Sequence, residues 1–188
     1  MATTGFLFPT TDTAVSGTWV TPANVQADDT INLATTAPAQ NATASRDAGG
    51  FGFSTAVLPV GSDISKVEFK SAYLLDTALS IATLRFNANV AGTILADHDD
   101  GGEPLSRTVT TFDITADRAW SAADFRDGTF FVRLNGLRGN SIVAVIFSFD
   151  YVAVQVTFTA PVANLNPGVM AVASARRLYL QHRQEYER

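Results

Sequence analysis

The run from residue 141 to residue 159 constrains the fold most, because its apolar residues alternate with a period of two. In 143–149 the odd positions are apolar, and in 152–158 the even positions are apolar. Such alternation predicts a β-strand with one buried face. A slip of one residue exchanges the two faces of a strand, so the change of phase at Phe149–Asp150 predicts a β-bulge or tight break near 148–151.

Shorter runs elsewhere predict further strands. Alternating or β-prone stretches, separated by turns at 58–63 and around 100–102, cover residues 51–57, 64–75, 79–90, 107–114 and 128–136. Residues 34–50 contain no large apolar side chain, and we expect them to form a surface loop or an irregular edge. Residues 120–125 predict one helical turn with Ser121 as its N-cap.

The two ends of the chain differ in composition from the middle. Residues 1–24 are rich in Thr, Ala, Gly and Pro, and we interpret them as an extended N-terminal arm. Residues 25–160 would form the β-domain, and 161–188 a linker and helix. The helix is predicted over 166–187, with Asn166 as cap and Pro167 in the first turn. The fold class is therefore all-β: an antiparallel, jelly-roll-like β-sandwich of about eight strands, with an N-terminal arm and a C-terminal α-helix.

Composition excludes several classes of protein. Of the 188 residues, 46% are apolar and 16% are charged, which is typical of a globular domain and not of a disordered chain. There is no cysteine, so disulfides and thiolate metal sites are excluded. The net charge of −5 argues against a nucleic-acid partner. No signal-peptide pattern and no apolar run of about 18 residues is present, so we expect no membrane partner.

The acidic stretch 97–103 is the sharpest candidate for a metal site. Oxygen ligands for Ca²⁺ would come from Asp97, Asp99, Asp100 and Glu103. The spacing does not follow the EF-hand loop, and acidic residues beside Gly-Gly are equally typical of a solvated hairpin loop. We prefer the loop, and we predict neither a bound metal nor a cofactor.

Catalytic motifs are not recognisable. His98 and His182 are the two histidines, and neither lies in a nucleophile or zinc motif. Pairs of carboxylates such as Asp113 with Asp117 are more typical of solvated turns than of a glycosidase. The prediction is a protein without catalytic residues.

Two features suggest binding surfaces. Aromatic side chains could contact a glycan if exposed, and the candidates are Trp19, Tyr73, Trp120 and Tyr151, of which Tyr73 and Trp120 are selected. The alternative for Trp120 is a plug at the end of the sandwich. The C-terminal helix would be marginal alone and is expected to dock on a neighbouring subunit. Its docking residues would be Val169, Met170, Val172, Arg176, Arg177, Leu178 and Leu180.

Several segments in order carry a resemblance to a known family. These are Trp19 with Pro22, "ADD" at 27–29, "GFGFSTAVLPVGSDISKVEF" at 50–69, "WSAADFRDGTFFVRL" at 120–134 and "DYVAVQVTFT" at 150–159. Together they resemble the jelly-roll module of tailed-bacteriophage virion proteins, of the head-decoration, head-fibre and neck or tail appendage type. The resemblance covers about 17–160 and implies a structural role without enzymatic activity.

The leading hypothesis is therefore a virion structural protein. Located in the virion, it would associate with copies of itself and with capsid, neck or tail proteins through its terminal segments. The alternative is a carbohydrate-binding β-sandwich used in host adhesion, with a host surface glycan as partner.

Overall fold

Two antiparallel sheets form the protein, and the computed structural model describes residues 1–30, 33–77, 81–99 and 104–162. Sheet A consists of β1 (Ala2–Thr3), β3 (Trp19–Val20), β4 (Ala34–Thr36), β6 (Asp63–Leu75), β9 (Thr108–Asp113) and β11 (Phe147–Thr159). Sheet B consists of β2 (Thr11–Ser16), β5 (Ala42–Gly49), β7 (Ala82–Val90), β8 (Thr93–Ile94) and β10 (Phe130–Arg138). The order is β3-β4-β11-β6-β9 in sheet A, with β1 also beside β11, and β2-β5-β10-β7-β8 in sheet B. The predicted all-β sandwich is confirmed.

Aromatic side chains join the sheets across a single core. Phe86 of sheet B is fully buried, and its ring lies 5.9 Å or less from the rings of Phe69, Tyr73, Phe112 and Phe149 in sheet A, measured between centroids. The alternating valines of β11 face the same core. The inner faces are thus closed by packing, and only the outer faces and the ends remain for binding.

The bulge predicted from the change of phase is confirmed. The pairing of β11 with β6 shifts register between Phe149 and Tyr151, so Asp150 is the extra residue. Phe149 and Val152 consequently face the core, whereas Tyr151 packs with Ala72 and Ala153 on the outer face of sheet A. The strand begins only at Phe147, so the alternating residues before it lie outside β11.

The expectation of a loop over residues 34–50 is wrong. This segment contains β4 and β5, and β5 lies between β2 and β10 in sheet B. Its inward positions include Ala44 and Ala48, which are completely buried. Small side chains suffice there because the large residues of other strands fill the core, and tertiary packing overrides local propensity.

The strand expected over residues 51–57 is also absent from the structure. Gly50 and Gly52 have φ angles of +67° and +73°, which a strand does not accommodate. The segment is a loop, yet Phe51 and Phe53 are buried and contact Phe130. Alternating phenylalanines here mark core residues carried by a loop.

The helical turn predicted after Trp120 is present as a 3-10 turn over Ala122–Phe125. Ser121 donates to the Asp124 carboxylate through both its backbone N–H, at 2.7 Å, and its hydroxyl, at 2.9 Å. Two further 3-10 turns cover Pro22–Val25 and Thr115–Asp117, and the described residues contain no α-helix. The predicted C-terminal helix, 166–187, lies outside the described residues.

Residues 1–24, expected as an arm, run along the sandwich. β1 pairs with β11, β2 with β5, and β3 with β4, and Leu7 forms a bridge with Val154. The segment is extended, as expected, but its strands belong to the edges of both sheets. In the described part of the chain, no helix is long and apolar enough to cross a membrane.

Candidate functional site

A shallow groove of about 300 Å³ lies on the outer face of sheet B. We call it the sheet B groove, and its lining residues are Thr43, Ser45, Arg85, Asn87, Ile94, Asp97, Arg133, Asn135 and Leu137. Most of these side chains are polar, although they come from the middle strands of a sheet. Its volume is at the lower end of that typical of small-molecule sites.

Strand alternation and register bring the polar residues together. In β7 and β10 the inward positions, such as Phe86 and Leu134, lie in the core, so Asn87, Arg133 and Asn135 point outward. Asn135 is paired in register with Ser45 on one side and with Arg85 on the other. Polar residues therefore form rows across three strands, a span of two interstrand spacings or about 10 Å.

Hydrogen bonds connect polar side chains of neighbouring rows into a continuous chain. The Ser45 hydroxyl donates to Asn135 Oδ1 at 2.7 Å, and Asn135 Nδ2 donates to Asn87 Oδ1 at 2.8 Å. Asn87 Nδ2 in turn donates to Asp97 Oδ1 at 2.6 Å. Each amide is thus held in a defined orientation, so the floor of the groove is organised without a ligand.

Both arginines of the groove are paired with carboxylates. Arg133 donates through Nε and Nη2 to the two oxygens of Asp47, each at 2.7 Å. Arg85 Nη1 donates to Asp97 Oδ2 at 3.0 Å. The hydrogen bonds that Arg133 donates to Asp47 raise the pKa of Arg133 above its usual value, so this cation does not titrate near neutral pH. Two positive and two negative charges leave the groove neutral.

An aromatic ring adjoins these polar rows. Phe131 lies two positions from Arg133 on the same face of β10 and is half-buried. Its register partner is Gly49, where an added Cβ would lie 2.5 Å from Phe131 Cδ1. The absence of a side chain at Gly49 therefore lets one edge of the Phe131 ring, Cδ1 and Cε1, lie against β5.

The arrangement suits a ligand that carries several hydroxyl groups. Asn, Ser, Arg and Asp side chains offer donors and acceptors at fixed positions, and an aromatic face provides apolar contact. Paired charges reduce the cost of the buried ionic groups. His98, the histidine that the structure describes, does not line the groove, and its Nε2 lies 2.8 Å from the carboxylate of Asp117.

The structure does not support Tyr73 as a glycan contact. Its side chain is completely buried, and its hydroxyl donates to Thr110 Oγ1 at 2.9 Å. The alternation of β6 places this residue in the core, and the sequence alone could not show which face of β6 is covered. Tyr73 is therefore a core residue.

Trp120 has the position expected of a plug. Its indole N–H donates to the carbonyl of Ile114 at 3.1 Å, and Phe125 stacks against its ring at 5.1 Å between centroids. The guanidinium of Arg118 lies 5.7 Å from the ring centroid. These contacts occupy the ring, and Trp120 is not part of the sheet B groove.

Of the candidate ligands that the structure describes in the acidic stretch, Asp97 lines the groove and Asp99 does not. The Asp97 carboxylate binds Asn87 and Arg85, as described above. Asp100 and Glu103 lie outside the described residues, as do all the docking residues proposed for the C-terminal helix. Among the residues that are described, no three His, Cys, Asp or Glu side chains are grouped as a metal site.

The outer face of sheet A is different in character. Phe6 and Phe8 are exposed by 36% and 39%, and Phe8 packs on Tyr151 with 5.7 Å between ring centroids. Lys70 Nζ lies 5.8 Å from the rings of both Phe6 and Tyr151. We call this the sheet A aromatic face.

Sequence reasoning missed the sheet B groove, although a signal was present. The segments Arg85-x-Asn87-x-Asn89 and Arg133-x-Asn135 place polar residues at alternate positions of predicted strands. Asparagine is disfavoured in strands, so its repetition on one face indicates a role other than folding.

Comparisons with known proteins give structural matches only. No protein-family model and no curated protein matches the chain. SGBP-B from a complex xyloglucan utilization locus in Bacteroides uniformis is 13% identical over 80% of this chain, with a TM-score of 0.51. This chain spans 49% of that structure, and the likeness shows the fold.

Two weaker matches are carbohydrate-binding modules. A structure described as "CBM4 structure and function" is 16% identical, with 81% of this chain and 95% of that chain covered and a TM-score of 0.47. The CBM36-1 domain of a multidomain xylanase from the hindgut metagenome of Trinervitermes trinervoides is 8% identical, with 85% and 100% covered and a TM-score of 0.39.

The expectation of a phage virion structural protein is contradicted by these comparisons. The match with a TM-score above 0.5 comes from a xyloglucan utilization locus. The short motifs that suggested a phage module lie in strands, loops and a turn of the sandwich, and they are features of its fold. They do not identify a virion protein.

Proposed function

We propose that this chain is a carbohydrate-binding β-sandwich that holds its glycan in the sheet B groove. The observation that carries the proposal is the chain of hydrogen-bonded polar side chains from Ser45 through Asn135 and Asn87 to Asp97. Such a row has no role in closing the core, since it lies on the outer face of the sheet.

Preorganisation is the physical advantage of this row. A sugar hydroxyl both donates and accepts a hydrogen bond, and it is matched by amide and carboxylate groups whose orientations are already fixed. Little side-chain entropy is then lost on binding, so more of the contact energy remains as affinity.

Phe131 supplies the apolar part of the site. One edge of the ring lies against Gly49, and the half-buried ring stands beside the polar rows, where the C–H groups of a sugar ring can pack on its exposed part. The combination of one aromatic surface with a few convergent polar groups is typical of small-molecule sites.

The similarity in fold guides the choice of ligand for a test. Because one similar structure comes from a xyloglucan utilization locus, xyloglucan is the first probe, and other soluble neutral polysaccharides form the rest of a panel.

Isothermal titration calorimetry with this panel tests the proposal. We expect saturable binding to at least one polysaccharide, weakened at least tenfold by Phe131→Ala. Phe8→Ala, which removes an exposed ring that packs on Tyr151 at the outer face of sheet A, is the matched control and should leave the affinity unchanged. Absence of saturable binding, or a loss with Phe8→Ala but not with Phe131→Ala, would overturn the proposal.

A further inference from the structure

We infer that the sheet B groove selects uncharged glycans over glycans that carry carboxylates, and that Asp97 sets this preference. The inference rests on the proposed function and names the class of ligand for the same site. It is drawn from how the charges of the groove are paired.

Arg133 is not available to a ligand carboxylate, whereas Arg85, which is 40% exposed, is bonded to Asp97 through Nη1. Arg133 is bonded to Asp47 by two of its three nitrogens, and the two side chains are exposed by only 16% and 12%. A uronate that took Arg133 would leave the carboxylate of Asp47 without its cation in a poorly hydrated position. Breaking such a pair by removing one partner is strongly unfavourable.

Asp97 adds a fixed negative charge at the rim of the groove. Its side chain is 55% exposed and lines the groove, while Arg85 and Asn87 hold its two oxygens. A second carboxylate in the groove would be repelled at short range, where water only partly screens the interaction. The net charge of −5 on the whole chain acts in the same direction.

Uncharged glycans meet no such penalty. Their hydroxyl groups can bond to the outward lone pairs and N–H groups of the paired residues without separating the pairs. The groove therefore presents charged side chains as hydrogen-bonding groups while remaining electrically neutral.

The substitution Asp97→Asn tests the role of this charge. It keeps one of the two oxygens, which can accept from either Asn87 or Arg85, and it removes the carboxylate charge, so the groove gains a net positive charge. We expect the affinity ratio of polygalacturonate to xyloglucan to rise at least tenfold in calorimetric titrations at low salt. Asp97→Ser removes the same charge with a smaller side chain and should shift the ratio in the same direction.

Asp63→Asn is the matched control. Asp63 is exposed at the start of β6 in sheet A, so its substitution changes the net charge equally but far from the groove. For Asp63→Asn, the affinity ratio of polygalacturonate to xyloglucan should equal that of the wild type. Salt provides a second readout, because it screens both repulsion and attraction. Added salt should raise the affinity ratio of polygalacturonate to xyloglucan for the wild type, whose Asp97 repels carboxylates. It should lower that ratio for Asp97→Asn, whose groove is positively charged.

The outcomes separate the inference from the proposed function. The inference would be overturned if the wild type bound polygalacturonate as tightly as xyloglucan. It would also be overturned if neither Asp97 variant raised the affinity ratio of polygalacturonate to xyloglucan. Either result would leave the carbohydrate-binding role intact. If the wild type binds neither these two glycans nor any polysaccharide of the neutral panel, both fail.

Discussion

The outer faces of the two sheets use opposite chemistry. The sheet B groove is lined by amides and paired charges, whereas the sheet A aromatic face carries Phe6, Phe8 and Tyr151 beneath Lys70. Exposed aromatic rings alone would point to sheet A as the binding face. The preformed chain of hydrogen-bonded side chains indicates that sheet B is the binding face instead. It is the stronger indication because the packing of the core does not require these side chains.

Ion pairs on the two faces also serve different ends. In sheet A, Arg107 joins the fully buried Asp150 at the bulge to Asp28, each at 2.6 Å, and so fastens a neighbouring segment to β11. In sheet B, Arg133 and Asp47 lie side by side on adjacent strands. The first pair holds the fold together, while the second pair shapes a surface.

Removing these two arginines should give the largest effects and should separate the faces. Arg107→Ala leaves Asp150 buried without its cation and should lower the free energy of unfolding by about 3 kcal/mol, with glycan affinity unchanged. Arg133→Ala should lower the free energy of unfolding by about 2 kcal/mol and also weaken glycan binding at least tenfold. Urea denaturation and calorimetry measure the two quantities. Normal binding by Arg133→Ala would contradict the assignment of the groove.

Truncation of Asn87 comes next in size. Asn87→Ala removes the 2.8 Å acceptor of the buried Asn135 Nδ2 and leaves it only the carbonyl of Arg85 at 3.4 Å. The substitution should cost about 1–2 kcal/mol of stability, together with a clear loss of affinity. Ser71→Ala is the control in sheet A, where the buried hydroxyl donates to the carbonyl of Tyr151. It should cost about 1 kcal/mol without changing affinity. Equal effects of the two variants on binding would remove the distinction between the faces.

Gly49→Ala should act on the groove through Phe131. The new Cβ would lie within 3 Å of the aromatic ring, which can turn away because it is half-exposed, so affinity should fall several-fold with little loss of stability. Combined with Phe131→Ala, the same substitution should have no further effect, since the two changes act through one contact. Additive losses in calorimetry would show that Gly49 acts otherwise.

Lys70→Ala should give the smallest effect. The ammonium group lies over Phe6 and Tyr151 on a partly exposed face, and such contacts contribute about 0.5–1 kcal/mol. Thermal denaturation should show a small decrease in stability, and glycan affinity should not change. Weaker binding in this variant would bring the sheet A aromatic face into the site.

Much of the sandwich follows from local sequence patterns. Alternation in β11 predicted both the strand and the bulge at Asp150, because a change of phase has few structural solutions. The same reasoning failed for β5, whose inward alanines carry no pattern, and for Phe51 and Phe53, whose neighbouring glycines adopt positive φ. In both places the fold depends on partners distant in sequence.

The candidate site was harder to predict than the fold. Alternating Arg and Asn residues in β7 and β10 indicate a polar face, yet nothing local shows that Asn135 lies between Ser45 and Arg85. That neighbourhood depends on strand order, which a single sequence does not specify. Tyr73 illustrates the converse, since its chemistry suggested binding and its register placed it in the core.

The location of a bound glycan tests the central claim most directly. Backbone amide chemical shifts would be followed by NMR while a neutral oligosaccharide that binds in the calorimetric panel is titrated into the wild-type protein. We predict the largest changes in β5, β7 and β10, centred on Ser45, Asn87 and Asn135. Changes confined to Phe6, Phe8 and Lys70 would contradict the claim and would place the site on sheet A.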